Sequence, residues 1–421
     1  MFGTSGIRRL VSELSGDFVL ELGKSLGTFV DVDTIAVGLD TRASGPRMRD
    51  LIAEGITSTG KNVLDIGVCT TPTLGVATAD LGFGVMVTAS HNPPEYNGFK
   101  FFDRNGAFRP SQEKEIQKIF ESKKFLNGVD GKVSRKDYVS KHIELILENV
   151  GRAEGVKVLV DCAGGAGSTI TPRLLEEMGC KVTAINTGRD GVFPHPLEPT
   201  AKNLEKTREI VREGDFDIAF AHDGDADRAC AIDKYGNLVD WDNFLTLLAW
   251  GRDTVVTTVD ASIRIKEFCK KVVVVPVGDV AVAEGIRENN ADFGGEPSGT
   301  YIFPEIHMYP DGVATVAKSV KMVSDGLFYE RLSSIPEFFT ERLKIPCPDD
   351  GKNSVMEKVE AMVDVDFIDV DGIRVEYDDG WVLVRPSGTE PYVRVTAEAK
   401  SKKRLEEIVG VGRSWVEKAL E

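Results

Sequence analysis

Short apolar, β-branched runs alternate along most of this chain with amphipathic stretches, and turns of small residues separate them. IAVGLD (Ile35 to Asp40), VKVLVD (Val156 to Asp161) and TVVTTVD (Thr254 to Asp260) are such runs. Each ends in Asp and leads through a turn towards a helix. In STGKNVLDIG and EEMGCKVTAINTG a glycine closes a helix before the next β-branched run, the expected C-cap signal. This alternation predicts α/β units. Three similar strand–Asp–turn segments predict three related mixed α/β domains, residues 1–138, 139–236 and 237–340. The pattern changes in the remainder, 341–421. FIDVDGIRVEYDDGWVLVRPSGTEPYVRVTAEA (Phe367 to Ala399) reads as strand, turn, strand, loop, strand, with Asp378 to Gly380 as a hairpin turn. A charged helix from about Ser401 to Leu420 follows, so the fourth domain is expected to be antiparallel α+β.

A length of 421 residues suits three ordinary domains or four small ones, and 42% hydrophobic residues can fill several cores. A net charge of −16 argues against nucleic acid or an anionic membrane as partner. It leaves room for small anionic substrates, because a local cluster of cations and backbone N–H groups can override the global field. The six cysteines are scattered without a CxxC pair, as expected of reduced thiols in a cytoplasmic protein. The opening MFGTSGIRRL has no leader-like apolar core, and no run of about 20 apolar residues could span a membrane.

Four segments carry candidate chemistry. In TASHNPPEYNGFK (Thr88 to Lys100), Ser90 falls just past the apolar run FGVMV, where ligands bind in open parallel sheets. A serine there can be a nucleophile if activated, and otherwise serves a turn. His91 beside it could orient a phosphate. In AHDGDADR (Ala221 to Arg228), Asp223, Asp225 and Asp227 repel one another unless a cation neutralises them. They offer hard oxygen ligands suited to Mg²⁺ or Ca²⁺. An EF-hand is excluded, because Arg228 and Lys234 stand where Gly and Glu are required. GGEPSGTYIF (Gly294 to Phe303) carries Glu296, Ser298 and Thr300, which can bond sugar hydroxyls or simply furnish a loop. RPSGTEP (Arg385 to Pro391) combines the fork of Arg385 with Ser387, Gly388 and Thr389, a composition suited to a phosphate monoester. AGGAGST (Ala163 to Thr169) lacks the P-loop lysine and fails the dinucleotide fingerprint at Ile170.

Taken in order, these segments resemble the α-D-phosphohexomutase superfamily over essentially the whole chain. FGTSGIR (Phe2 to Arg8) is similar to its N-terminal signature, TASHNP to its phosphoserine loop, DGDADR to its metal loop, GEPSG to its sugar loop and RPSGTEP to its phosphate loop. The resemblance implies four domains around a central cleft, with Ser90 carrying a phosphoryl group. It implies that Asp223, Asp225 and Asp227 bind one Mg²⁺ together with that phosphate. Glu296 and Ser298 would read sugar hydroxyls, and Arg385, Ser387, Gly388 and Thr389 would hold the distal phosphate. Lys100 and Arg228 match basic active-site positions, and Ser5 and Arg8 lie near the phosphoserine. A hexose bisphosphate is the implied intermediate and activator.

One departure stands out: Thr300 occupies a place where many members have histidine. Lys100 then becomes the candidate for proton transfer, and partial burial beside Phe101 and Phe102 would lower its pKa. The expected activity is interconversion of a hexose 6-phosphate and its 1-phosphate. Glucosamine phosphate is the first choice of sugar, with mannose or glucose phosphate as the alternative. A Mg²⁺-dependent phosphatase fits less well, because hydrolysis needs no second phosphate clamp, and a non-catalytic sensor would not keep Ser90 and all three aspartates. Oligomeric state is not readable.

Overall fold

The computed structural model of the chain describes Phe2, residues 6–387 and residues 390–421. Ser5, Gly388 and Thr389, expected at the site, lie outside these residues. Four sheets follow one another along the chain, three mixed and the last antiparallel.

The three Asp-terminated runs form central strands. Thr34–Leu39 lies between Asn62–Val68 and Phe83–Val87, parallel to both. Lys157–Asp161 lies between Lys181–Ile185 and Ile218–His222, and Thr254–Thr258 between Lys271–Val275 and Phe293–Gly295, again parallel. A central strand is covered on both faces, which is why these runs are apolar without alternation.

Each mixed sheet then turns back on itself. Phe83–Val87 pairs antiparallel with Tyr96–Asp103, Ile218–His222 with Ala229–Asp233, and Phe293–Gly295 with Tyr301–Ile302. The connections across these pairs are the segments carrying Ser90, the three aspartates and Glu296. The fourth segment links Gly380–Pro386 to its antiparallel neighbour Tyr392–Ala399. All four candidate loops are therefore reversals between neighbouring strands, at the end of a sheet where side chains and backbone amides are free to face a ligand.

The second and third sheets share one apolar core, in which Ile143, Val160 and Phe220 join Phe244, Phe293 and Val316. The first sheet has its own core around Val37, Val85 and Phe99, and the last around Val375, Val384 and Val395. In the last unit the strand Phe339–Pro346 pairs along its whole length with Tyr392–Ala399, crossing residues 340 and 341. The hairpin turn at Asp378 and Asp379 and the final helix, Lys402–Leu420 with Ser401 as its cap, agree with the sequence pattern.

The C-terminal unit is fastened to the third. Glu398 Oε2 accepts from Trp381 Nε1 and from Ser262 Oγ, both at 2.7 Å, and Glu398 Oε1 accepts from Arg264 at 2.9 Å. Arg374 donates to the carbonyls of Val259 and Ala261. Among the described residues no helix is long and apolar enough to cross a membrane. All six cysteines are free.

Candidate active site

Ser90 is buried, and its φ of 50° is left-handed, a conformation that costs a non-glycine residue roughly 1–2 kcal/mol. Arg42 holds it there. The fully buried guanidinium donates from Nη2 to the carbonyls of Ser90 (2.8 Å) and Asn92 (2.7 Å), and from Nη1 to those of Pro93 (2.7 Å) and Tyr96 (2.9 Å). Its Nε pairs with Asp40 Oδ2 at 3.0 Å, and its plane lies over the Phe193 ring. Asp40 also accepts from Thr88 Oγ1 at 2.7 Å, and that hydroxyl in turn accepts the Ser90 N–H at 2.9 Å. Burial pushes Asp40 up to about 6 against the pull of Arg42. Sequence reasoning passed over Arg42. Its only signal is the Asp40-Thr41-Arg42 run after a buried strand, and all but one of its hydrogen-bond partners are about 50 positions away.

The acidic loop meets Ser90 from the second unit. Gly224 allows the approach, since a Cβ there would stand 2.6 Å from the Ser90 carbonyl oxygen. Ser90 Oγ donates to Asp223 Oδ2 at 2.7 Å. Asp223, Asp225 and Asp227 are all buried, with one ligand oxygen of each within 4.8 Å of the others. Asp225 Oδ2 accepts from Thr71 Oγ1 (2.6 Å) and Lys100 Nζ (2.7 Å), and Lys100 also donates to Asp227 Oδ2 at 2.5 Å. The Oδ1 atoms of Asp225 and Asp227 are buried without a partner among the described residues. Unpaired carboxylate oxygens converging in a buried loop are the donor set a hard divalent cation requires, so these residues could hold one. Burial and the two neighbouring aspartates push Asp223 well above the usual carboxylate range. Burial opposes ionisation of Asp225 as well, but Lys100 and the Thr71 hydroxyl overcome it and hold Asp225 below that range.

This arrangement corrects the expectation for Lys100. Burial alone would lower its pKa, but the Asp225 and Asp227 carboxylates together outweigh burial and hold it above the ordinary lysine value. The decisive charges lie 125 and 127 positions along the chain.

A cavity of about 460 Å³ opens over this floor. Arg8, His91, Lys100 and Arg228 line it together with Glu296, Ser298 and Thr300, so residues of four separate segments converge. Burial, then Arg228 and Arg8, pull His91 down to about 3, which leaves a neutral imidazole beside Ser90. Glu296 Oε1 accepts the Gly278 N–H at 2.9 Å, and Ser298 and Thr300 share a hydroxyl contact of 3.1 Å. The acidic loop and the Glu296 loop are joined directly by a bridge between Arg228 and Thr300.

The segment from Arg385, expected to hold a phosphate, stands at the margin. Arg385 and Ser387 do not line this cavity. Arg385 pairs with Asp371 at 2.8 Å, and Asp371 accepts the N–H of Val277, itself a cavity residue. Ser387 is held by its N–H to the Tyr392 carbonyl at 3.0 Å and by Lys352, whose Nζ donates to the carbonyls of Ser387 and Glu390. Lys352, Asp371 and Arg394, whose Nη2 pairs with Glu390 at 2.9 Å and lies 3.5 Å from Ser387 Oγ, were not expected here, because nothing in their own segments marks them.

Four family models, described as phosphoglucomutase/phosphomannomutase domains I, II, III and the C-terminal domain, match residues 1–127, 136–236, 242–341 and 343–410. The chain belongs to the phosphoglucomutase/phosphomannomutase family. Membership brings its activity class, an intramolecular phosphotransferase of the isomerase type acting on phosphohexoses. A protein of Pyrococcus furiosus named "probable phosphoglucosamine mutase" is 40% identical, covering 100% of this chain and 98% of its own length. One of Methanopyrus kandleri with the same name is 43% identical over 100% and 99%. Among solved structures, a phosphoglucomutase/phosphomannomutase family protein of Burkholderia thailandensis superposes with a TM-score of 0.91 at 27% identity, covering 99% and 97% of the two chains.

Proposed function

We propose that this phosphohexomutase interconverts glucosamine 6-phosphate and glucosamine 1-phosphate through a phosphorylated Ser90 and a bisphosphorylated sugar. The observation that carries the mechanism is the 2.7 Å contact of Ser90 Oγ with Asp223, on the acidic floor of a cavity walled by the sugar loop. The choice of sugar follows the full-length relatives named for it.

In each half-reaction a sugar oxygen bonds to phosphorus as the Ser90 Oγ–P bond breaks, or the reverse. One proton leaves the attacking hydroxyl and one is regained by the departing oxygen. Asp223, Asp225 and Asp227 are the proposed ligands of one Mg²⁺, a hard cation that keeps room for phosphate oxygens. When bound, it would offset the charge of the transferring phosphoryl group. Arg8 and Arg228 are proposed to attract the phosphate into the cavity. Lys100, tied to two carboxylates, fits charge neutralisation at the reacting oxygen better than proton abstraction, which shifts the emphasis from the sequence expectation. The bisphosphate would have to turn end for end within the cleft, so both phosphates need a binding place.

Arg385 is the proposed anchor of the distal phosphate. Its Nε is buried without a partner among the described residues, while one terminal nitrogen is held by Asp371, an orientation that supports bidentate binding. Arg385→Ala is expected to lower kcat/KM by roughly 30- to 1000-fold, the loss of a charge-assisted interaction worth about 2–4 kcal/mol. A change under threefold with both isomers would place the anchor elsewhere.

The reading is tested by coupled assays of glucosamine, glucose and mannose phosphates side by side. Glucosamine phosphate is expected to have the highest kcat/KM. A higher value for either of the other sugars would make the enzyme a phosphomannomutase or phosphoglucomutase instead.

A further inference from the structure

The cavity has an acidic wall that phosphate chemistry does not explain. Beside Glu296, from the sugar loop, it is lined by Asp260, the residue that follows the central strand Thr254–Thr258 by two positions, and by Asp279, which opens the helix Asp279–Asn289. Glu296 is only 8% exposed. One of its oxygens takes the Gly278 N–H, and the other has no partner among the described residues. Among the described residues the Asp260 side chain accepts only from the Thr258 hydroxyl, at 2.6 Å. Lys100 is committed to Asp225 and Asp227, and Arg385 to Asp371; no ion pair among the described residues includes Asp260, Asp279 or Glu296.

A helix start tolerates an acidic residue in its first turn, which accounts for Asp279 in isolation. It does not account for Asp260 and Glu296 crowded beside it in a cavity that must admit a phosphate dianion. The crowding is visible in Glu296, which burial, then Asp279 and Asp260, push up to about 8. Arg8, Lys100 and Arg228 line the same cavity and suit the phosphate, but acidic side chains gathered on the stretch of wall around Glu296 disfavour further negative charge there and favour a sugar that itself brings a positive charge. The equivalent aspartates of the other two sheets are spent internally: Asp40 holds Arg42 and Thr88, and Asp161 holds Asn186, His195 and Thr207. Only Asp260 is turned to the cavity.

We propose that Asp260 and Asp279, flanking Glu296, bind the ring ammonium group of an amino-sugar phosphate and so select it over sugars bearing a neutral hydroxyl at that carbon. This rests on the reading of the enzyme as a glucosamine-phosphate mutase and assigns the residues that make the choice. Glu296 alone bonds a hydroxyl or an amine with similar ease; the pair beside it supplies the charge that separates them.

The test is calorimetric titration of dephosphorylated full-length enzyme, which cannot turn over, with glucosamine 6-phosphate, glucose 6-phosphate and mannose 6-phosphate. The wild type is expected to bind glucosamine 6-phosphate about tenfold or more tightly than the other two, the worth of one charge-assisted contact. Asp279→Asn and Asp260→Asn, which keep shape and remove charge, are each expected to cut that preference about fivefold or more. Preference retained in both variants, or equal weakening of all three sugars, overturns the assignment. If the variants keep the preference while the wild type still turns over glucosamine phosphate best, the subsite fails and the proposed activity stands. A wild type that both binds and converts glucose or mannose phosphate better overturns the two together.

Discussion

Ser90→Ala enzyme is expected to keep its fold and to lose roughly 10⁴-fold or more of its mutase turnover, the scale of removing a covalent nucleophile. The loss should be this large because no described neighbour can replace the hydroxyl. His91 Nδ1 is 3.5 Å from Ser90 Oγ, and the other hydrogen-bond partner of that hydroxyl among the described residues is the Asp223 carboxyl. The fold should survive because the loop is held through its backbone. Arg42 grips the Ser90 carbonyl and Thr88 the Ser90 N–H, and neither contact uses the hydroxyl. Alanine meets the same left-handed φ as serine, so the main change is one lost hydrogen bond, about 1 kcal/mol. Intact-mass measurement should find a phosphorylated fraction in wild type and none in the variant. Circular dichroism melts should differ little. Robust turnover by the folded variant would remove Ser90 from the mechanism.

The acidic loop should be nearly as sensitive. Chelation is expected to abolish activity and added Mg²⁺ to restore it. Asp225→Asn should cost roughly 10²–10⁴-fold in kcat and raise the Mg²⁺ concentration needed for half-activity. The geometry explains why so small a change matters. Asp225 Oδ2 receives hydrogen bonds from Lys100 and from Thr71, whereas Oδ1 is buried without a partner among the described residues. An asparagine must turn its NH₂ group either towards those two donors or towards the place where a cation would bind. One choice sets donor against donor, and the other removes a ligand oxygen. Full activity of exhaustively chelated enzyme, or of the variant at limiting Mg²⁺, would contradict the proposed role of the loop.

The same loop shows why some of the site could be read early and some could not. Three aspartates spaced two apart after an apolar run are a local pattern, and local repulsion alone suggests a cation. Likewise, an apolar run followed by a stiff Pro-containing loop places Ser90 at a strand end before any coordinates are known. The grip of Arg42 is different. Four of its five hydrogen-bond partners lie in Ser90 to Tyr96, and only folding brings them to it. The strand Phe339–Pro346 was equally hidden. Its burial alternates strictly, with Glu341, Lys344 and Pro346 among the outward or half-covered positions, so its apolar content is diluted, and its partner strand is some fifty residues away.

Taken alone, the chain determined the alternation of strand and helix, the antiparallel character of its end and the chemistry offered by each of four loops. These depend on periodicity, turn residues and side-chain type, which act over a few residues. The tertiary structure decided which loops meet, that the second and third sheets share one core, and the sign of the Lys100 shift. Burial acts through the local neighbourhood and lowers that pKa. The two carboxylates that reverse it arrive from another sheet, and a Coulomb interaction depends on distance in space, not on separation along the sequence.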